Sequence, residues 1–196
     1  MPALDPALQA FVAAYPFATL VSPTLEVAAA PLRFTAEGKL EGHVARATAQ
    51  RLMLASGASL LAIFQGPHGY VSAADYGPGA AVPTWNTVRL EARGSVKILE
   101  DEAARRRALT AQLDALESAA AQADHVTESL VHRLLPAITV FQLSALMLKS
   151  TFKLGQQKPL AAQSALATAL ARRGQRALSQ LTDGRGGDRH VWPPFP

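Results

Sequence analysis

The sequence predicts an α+β chain, mainly β, whose antiparallel strands close into a barrel with helices packed outside. Three observations lead there. About six segments read as strands, most of them joined by hairpins. The main helical stretch falls between two late strands instead of alternating with each one, which argues against a doubly wound parallel sheet. "SLLAIF" is apolar on both faces and would make a hazardous open edge, which closure removes.

In chain order, "LDPALQAFVAAY" offers Asp5 as N-cap and Pro6 at the first helical position, with Leu8, Phe11 and Val12 on one face. "FATLVS" and "EVAAAPLRF" read as the first two strands, and "TAEGK" turns the chain into a third, "LEGHVARA". "TAQRLMLASG" reads as a short helix closed by Gly57, and "SLLAIFQG" as a buried strand. A loop is expected from Gly66 to Asn86, unusual for carrying His68, Tyr70, Tyr76, Trp85 and Asn86. "TWNTVRLEARGSVKIL" alternates with period two, as a long strand with one solvated face does. Residues 101 to 135 read as two helical pieces, the first presenting Leu109, Leu113 and Leu116 on one face. "ITVFQLSALMLKSTFKL" returns to strand, and "PLAAQSALATALARRG" begins a final helix. This divides the chain into a barrel domain over 1–158, a helical extension over 159–185 and a loose, Gly- and Pro-rich tail over 186–196.

Composition narrows the chemistry. The 196 residues contain no cysteine, so disulfides, thiolate nucleophiles and cysteine metal sites are excluded. The longest apolar runs are too short to span a bilayer as a helix, and no secretory signal is apparent, so a cytoplasmic protein is expected. The net charge of +4 invites a nucleic-acid reading, but no helix-turn-helix, zinc finger or aromatic-interleaved basic strand accompanies it. Arg105, Arg106 and Arg107 follow Asp101 and Glu102 as a solvated, dipole-matched helix face would. Direct nucleic-acid binding and membrane insertion are therefore not expected. No G-x-S-x-G elbow is present, and His125 and His132, seven apart, lack the spacing of a helical zinc pair. No metal site is expected.

Three polar clusters remain. His43 and Arg46 in "GHVARATAQ" stand where a strand gives way to a helix, a place suited to one anion. Gln65 and His68 follow a buried strand, while Trp85 and Asn86 open the next. An aromatic beside amides suits a flat heterocycle that needs stacking and edge hydrogen bonds. Lys153, Gln156 and Gln157 lie where the late strand ends. Each also has a plainer reading: a surface arginine, a strand-end histidine, a core-filling Trp85. Together they suggest a planar ligand bearing a phosphate.

"GHVARATAQ", "AIFQGPHGYVS", "VPTWNTVRLEARG" and "FKLGQQKP", in this order, resemble the PaiB family of FMN-binding proteins over roughly residues 8 to 175. That family is similar in fold to pyridoxamine-phosphate oxidases and flavin reductases, which share the FMN-binding split β-barrel. The resemblance implies a homodimer with one FMN per subunit near the dimer interface. It implies Arg46 on the phosphate, His43, Gln65 and His68 lining the site, Trp85 and Asn86 at the ring or ribityl chain, and Lys153 and Gln156 contributing from the late strand. The sequence departs from the family pattern at Thr48–Arg51, where Asn-Pro-Gln-Trp is usual, at Ala73–Tyr76, and at Gly155 and Gln157.

Three functions stay open at this stage. One is an FMN-dependent oxidoreductase acting on an unidentified small-molecule or protein partner. Another is a transcriptional or metabolic regulator that binds FMN without catalysis. The third is a haem-handling protein, with His68 or His125 as ligand. No catalytic residue is assigned.

Overall fold

The computed structural model describes residues 5–79, 81–117 and 126–183. The strands are β1 (Phe17–Val21), β2 (Val27–Phe34), β3 (Leu40–Ala45), β4 (Ser59–Val71), β5 (Thr84–Ile98) and β6 (Ile138–Lys153). The helices are α1 (Pro6–Ala14), α2 (Arg46–Arg51), α3 (Glu102–Leu116), α4 (Glu128–Leu134), α5 (Leu160–Arg172) and α6 (Arg176–Thr182). The strands form a closed barrel in the order β1-β2-β3-β6-β5-β4, completed by β1 on β4 with Leu20 opposite Ala62. The antiparallel α+β barrel expected from the sequence is the fold observed.

By internal packing the chain divides into two compact units, Met1–Phe64 with Glu91–Lys149, and Gln65–Leu90 with Ser150–Pro196. In the first unit, α1 starts as expected: the Asp5 carboxylate accepts from Ala7 N at 2.9 Å, and Pro6 fills the first turn. Its Phe11 and Val12 are essentially without exposure, each such burial contributing roughly 1.5–3 kcal/mol. Leu20, Leu32, Leu40, Phe64, Phe141 and Leu143 complete the interior there. Gly94 is required by a close approach, since a Cβ would stand 2.7 Å from the Ser144 carbonyl oxygen. In the second unit, Val71, Tyr76, Leu166, Leu170 and Leu178 are buried.

Several expectations are corrected. α2 is only six residues and ends at Arg51; Leu54 N still reaches Ala49 O, but Met53 has turned left-handed (φ 51°), so Gly57 belongs to the turn before β4. Of the expected loop, Gly66–Val71 is strand and Ala73–Tyr76 a 3-10 turn, because the barrel ladder carries β4 through its glycines. In α3 the fully buried residues are Ala108 and Gln112, with Leu109 and Leu113 partly buried and Leu116 half exposed, so the leucine stripe borders the packed face and does not centre it. Arg105 is not a solvated residue: its guanidinium donates to the carbonyls of Leu135 and Ile138, tying α3 to the start of β6. Gly174 ends α5 with φ 78°, and a further helix, α6, follows. The tail expected over 186–196 and His125 lie outside the described residues.

β6 changes face partway. Phe141 and Leu143 point inward, yet Ala145, Met147 and Lys149, continuing the same parity, are exposed. The change falls at Ala145, whose φ of 52° is left-handed.

Candidate functional site

In the second unit, β4 and β5 carry an aromatic and amide cluster. β5 alternates cleanly, placing Asn86, Val88 and Leu90 on its buried face and Trp85 on the other. Trp85 is 53% exposed, so it does not fill the core. Its Nε1–H donates to Nδ1 of His68 at 3.2 Å, and the two rings stack at 6.0 Å between centroids. Tyr70, also half exposed, tilts against the same indole at 6.4 Å. A soluble surface rarely leaves two large aromatics open side by side without a use for them.

Asn86 is fully buried, and neither its amide nitrogen nor its amide oxygen has a hydrogen-bond partner among the described residues. A buried amide left unpaired costs about 1–3 kcal/mol for each orphaned group, so such a side chain calls for a partner, whether an ordered water or a bound group. Gln65 has its NH₂ spent on Gly66 O, Thr87 Oγ1 and Val88 O, while its oxygen accepts from no group among the described residues.

The late strand contributes differently from expectation. Lys153 Nζ donates to Thr84 Oγ1 at 2.6 Å, next to Trp85 in sequence. Gln156 closes its own turn, accepting from Leu154 N and donating to Phe152 O, so both ends of its amide serve the backbone. Gly155 allows that turn with φ 79°.

The same unit holds a capped 3-10 turn. Ser72 Oγ accepts from Ala74 N, Asp75 accepts from Ser72 N, and Arg173, the C-cap of α5, grips the Asp75 carboxylate at 2.7 and 2.9 Å. The Arg173 guanidinium holds the Asp75 carboxyl below its ordinary range, against the opposing effect of burial. Tyr76 is buried under Lys158, whose Nζ lies 5.2 Å from the ring centroid, and burial raises its hydroxyl. Sequence reasoning passed over Asp75, although Ser72-x-x-Asp75 carries the spacing of a capping box.

In the first unit, His43 and Arg46 part company. His43 lies within β3, opposite Val140, and its Nδ1 meets Gln112 Oε1 at 2.8 Å. Because Gln112 Nε2 donates to Pro31 O, its oxygen must accept, which puts the His43 proton on Nδ1. Arg46 opens α2, is exposed, and forms no ion pair among the described residues. With six residues, α2 lends it little dipole, so any anion bound there relies on the guanidinium itself. No cluster of three or more metal-ligating side chains occurs among the described residues, and none of their helices is long and apolar enough to cross a membrane.

Residues 3–145 match the family described as "Putative FMN-binding domain". No curated protein matches the chain. Among solved structures, the chain is similar to the flavocytochrome Anf3 from Azotobacter vinelandii (15% identity, 76% of this chain and 67% of that one, TM-score 0.58). It is also similar to an FAD- and haem-binding protein from Mycobacterium smegmatis (20% identity, 75% and 71%, TM-score 0.55). A third is the conserved hypothetical protein Rv2991 from Mycobacterium tuberculosis (11% identity, 80% and 89%, TM-score 0.52). At these identities the likeness is one of fold.

Proposed function

Since the chain belongs to this family of FMN-binding domains, we propose that it is a flavoprotein that holds FMN and passes electrons to or from a partner. The observation that carries this reading is the orphaned Asn86 amide, fully buried in the strand that exposes Trp85. An isoalloxazine offers what these residues lack: alternating acceptors and a donor along one edge, and a flat face to stack.

In this reading Trp85 and Tyr70 take the ring face, and Asn86 pairs with polar atoms of the ligand. His68, its Nδ1 occupied by Trp85, presents an Nε2–H as donor when neutral. Gln65 offers its free oxygen, and Lys153 fixes the start of β5 through Thr84. His43 and Gln156 are assigned positioning roles, through Gln112 and through the turn after β6. The phosphate contact is assigned to Arg46 on the motif resemblance and its exposed guanidinium, which forms no ion pair among the described residues. A bound flavin would supply one- and two-electron transfer; the chain's residues supply orientation and an electrostatic setting.

The visible spectrum of the purified protein is the test. Flavin absorption, with FMN released on denaturation, supports the reading; FAD or a colourless protein that takes up no FMN overturns it. A Soret band would instead favour haem. The His68 geometry speaks against that ligand, because an Nδ1 that accepts from Trp85 leaves Nε2 protonated and unable to coordinate. Mixing the flavin-loaded protein with NADH and NADPH in stopped flow separates catalysis from regulation: bleaching supports an oxidoreductase, and its absence favours the non-catalytic regulator.

A homodimer in the cytoplasm completes the proposal. On the outer face of β2, β1 and β4, Val27, Val21 and Leu61 lie in one row and Ala29, Thr19 and Ile63 in the next, without a charge among them. Phe17 on the same face is 65% exposed. Such a face suits an obligate interface, which would bury about 2,000 Å² or more.

A further inference from the structure

Charge is divided unevenly along the chain. Among the described residues of the first unit, eleven Lys and Arg are balanced by eleven Asp and Glu. The described part of the second unit has six Lys and Arg against two Asp, a formal +4 of its own. One of those acids, Asp75, is already taken by Arg173, while Lys153, Lys158, Arg172 and Arg176 form no ion pair among the described residues.

These cations frame the aromatic face of the second unit. Lys153 Nζ, on Thr84 Oγ1 at 2.6 Å, stands at the start of β5 beside Trp85. On the other side, Arg173 Nη2 donates to the Tyr70 carbonyl at 3.5 Å. The Gln175 side chain lies so close to Gly69 that a Cβ there would stand 2.7 Å from its Oε1. The corner between α5 and α6, with Arg172 and Arg176 exposed on it, is thereby held against the strand segment that carries His68 and Tyr70. Arg172, in the last turn of α5, suits its helix. Arg176 does not: it is the first residue of α6, where a cation opposes the helix dipole. Local helix stability therefore gives no reason for it, and a partner of opposite charge does.

We propose that this basic rim is the docking surface of an acidic one-electron carrier protein. The inference rests on the flavoprotein reading above, which puts the ring on Trp85 and Tyr70, inside the rim. Transient redox complexes bury less than about 1,200 Å², so charge around the redox centre steers the encounter and orients it. Each encounter moves one electron from the reduced carrier, oxidising it by one unit, to the bound flavin. Two encounters and two protons from water complete a two-electron reduction. Single-stranded nucleic acid also suits cations around exposed aromatics, but it has no electron to deliver and competes for the same ring face.

The test uses the full-length protein as purified, with plant-type ferredoxin as the acidic probe and cytochrome c as a basic one. Calorimetry reads binding whether or not flavin is present. Ferredoxin should bind at about 20 mM salt and lose about tenfold in affinity at about 300 mM, whereas cytochrome c should not bind. Arg172→Glu with Arg176→Glu should cost about tenfold at low salt. Arg172→Gln with Arg176→Gln, expected to cost about threefold, serves if the reversed pair fails to fold. Arg107→Glu with Arg133→Glu, an equal charge change at exposed positions of the first unit, should leave affinity within about twofold. On the flavin-loaded protein, reduced ferredoxin should reduce the flavin with the same salt dependence and the same loss in the second-unit variants. No ferredoxin binding at low salt, equal binding of cytochrome c, or equal losses in the two reversed pairs would overturn the proposal. So would tighter binding of a single-stranded DNA of about twelve nucleotides than of ferredoxin. Flavin reduction that ignores salt would overturn it and leave the flavoprotein reading intact. Ferredoxin binding by a protein that takes up no flavin would overturn that reading and, with it, the redox role of the dock.

Discussion

Trp85 Nε1 donates to His68 Nδ1 at 3.2 Å, and this bond links β5 to β4 on their exposed face while setting the imidazole tautomer. The pair acts as one surface: the indole supplies area, and the imidazole holds it in place. Trp85→Ala should therefore weaken FMN binding by about ten- to a hundredfold, with Trp85→Phe in between because the ring stays and the bond is lost. Quenching of FMN fluorescence measures both. Unchanged affinity in a folded Trp85→Ala protein would remove this face from the site.

Asn86 separates stability from binding. Asn86→Leu keeps the volume and discards two buried polar groups without partners, so the ligand-free protein should gain about 1 kcal/mol. FMN affinity should fall at the same time. Denaturant unfolding of the ligand-free variant and an FMN titration give the two values. A variant that loses stability while keeping full affinity would show that Asn86 is satisfied within the free protein and does not serve the ligand.

Arg46 is tested by comparing two flavins. If its guanidinium holds the phosphate, Arg46→Ala should cost about 1.5–3 kcal/mol of FMN affinity. Riboflavin, which lacks the phosphate, should bind the variant and the parent alike. Equal losses for both flavins would point to a disturbed fold instead of a lost contact.

Asp75 and Arg173 give the protein an acid-sensitive element. The folded carboxyl titrates below its ordinary value, so the pair's stabilisation is fully present above about pH 4 and is lost as pH falls through the lowered folded pKa. Arg173 is partly exposed, so Arg173→Met should cost only about 1 kcal/mol at neutral pH. Thermal melts across the acid range should show the gap between parent and variant closing as Asp75 protonates. A gap that stays constant down to pH 2 would assign the cost to lost packing of the arginine stem.

Much of the barrel could be read from the chain before its coordinates. β5 alternates without a fault over its whole length, and Asp5-Pro6 punctuates α1 where the helix begins. The errors have local causes. Glycines and a proline in "GPHGYV" argue for a loop, but the ladder outweighs their weak strand propensity. The apolar stripe on α3 was misleading because Gln112 is buried to bind His43 and Pro31, a partnership formed across 69 and 81 residues of sequence. At the site, Trp85 and His68 were recognisable as ligand-like residues, but their mutual bond was not. The self-contained turn at Gln156 was equally hidden, because a free amide and a cap share one letter.

The left-handed Ala145 gives β6 an odd residue, and that has a consequence for how the chain can change. Substitutions along a regular strand alter one side chain at a time. Flattening the strand here with its residue kept would bring Met147 and Lys149 to the inward face together, whereas losing one residue would restore the pleat and leave both outside. The position should therefore favour Gly, Asn or Asp, resist β-branched side chains that pull the strand straight, and tolerate deletion better than straightening.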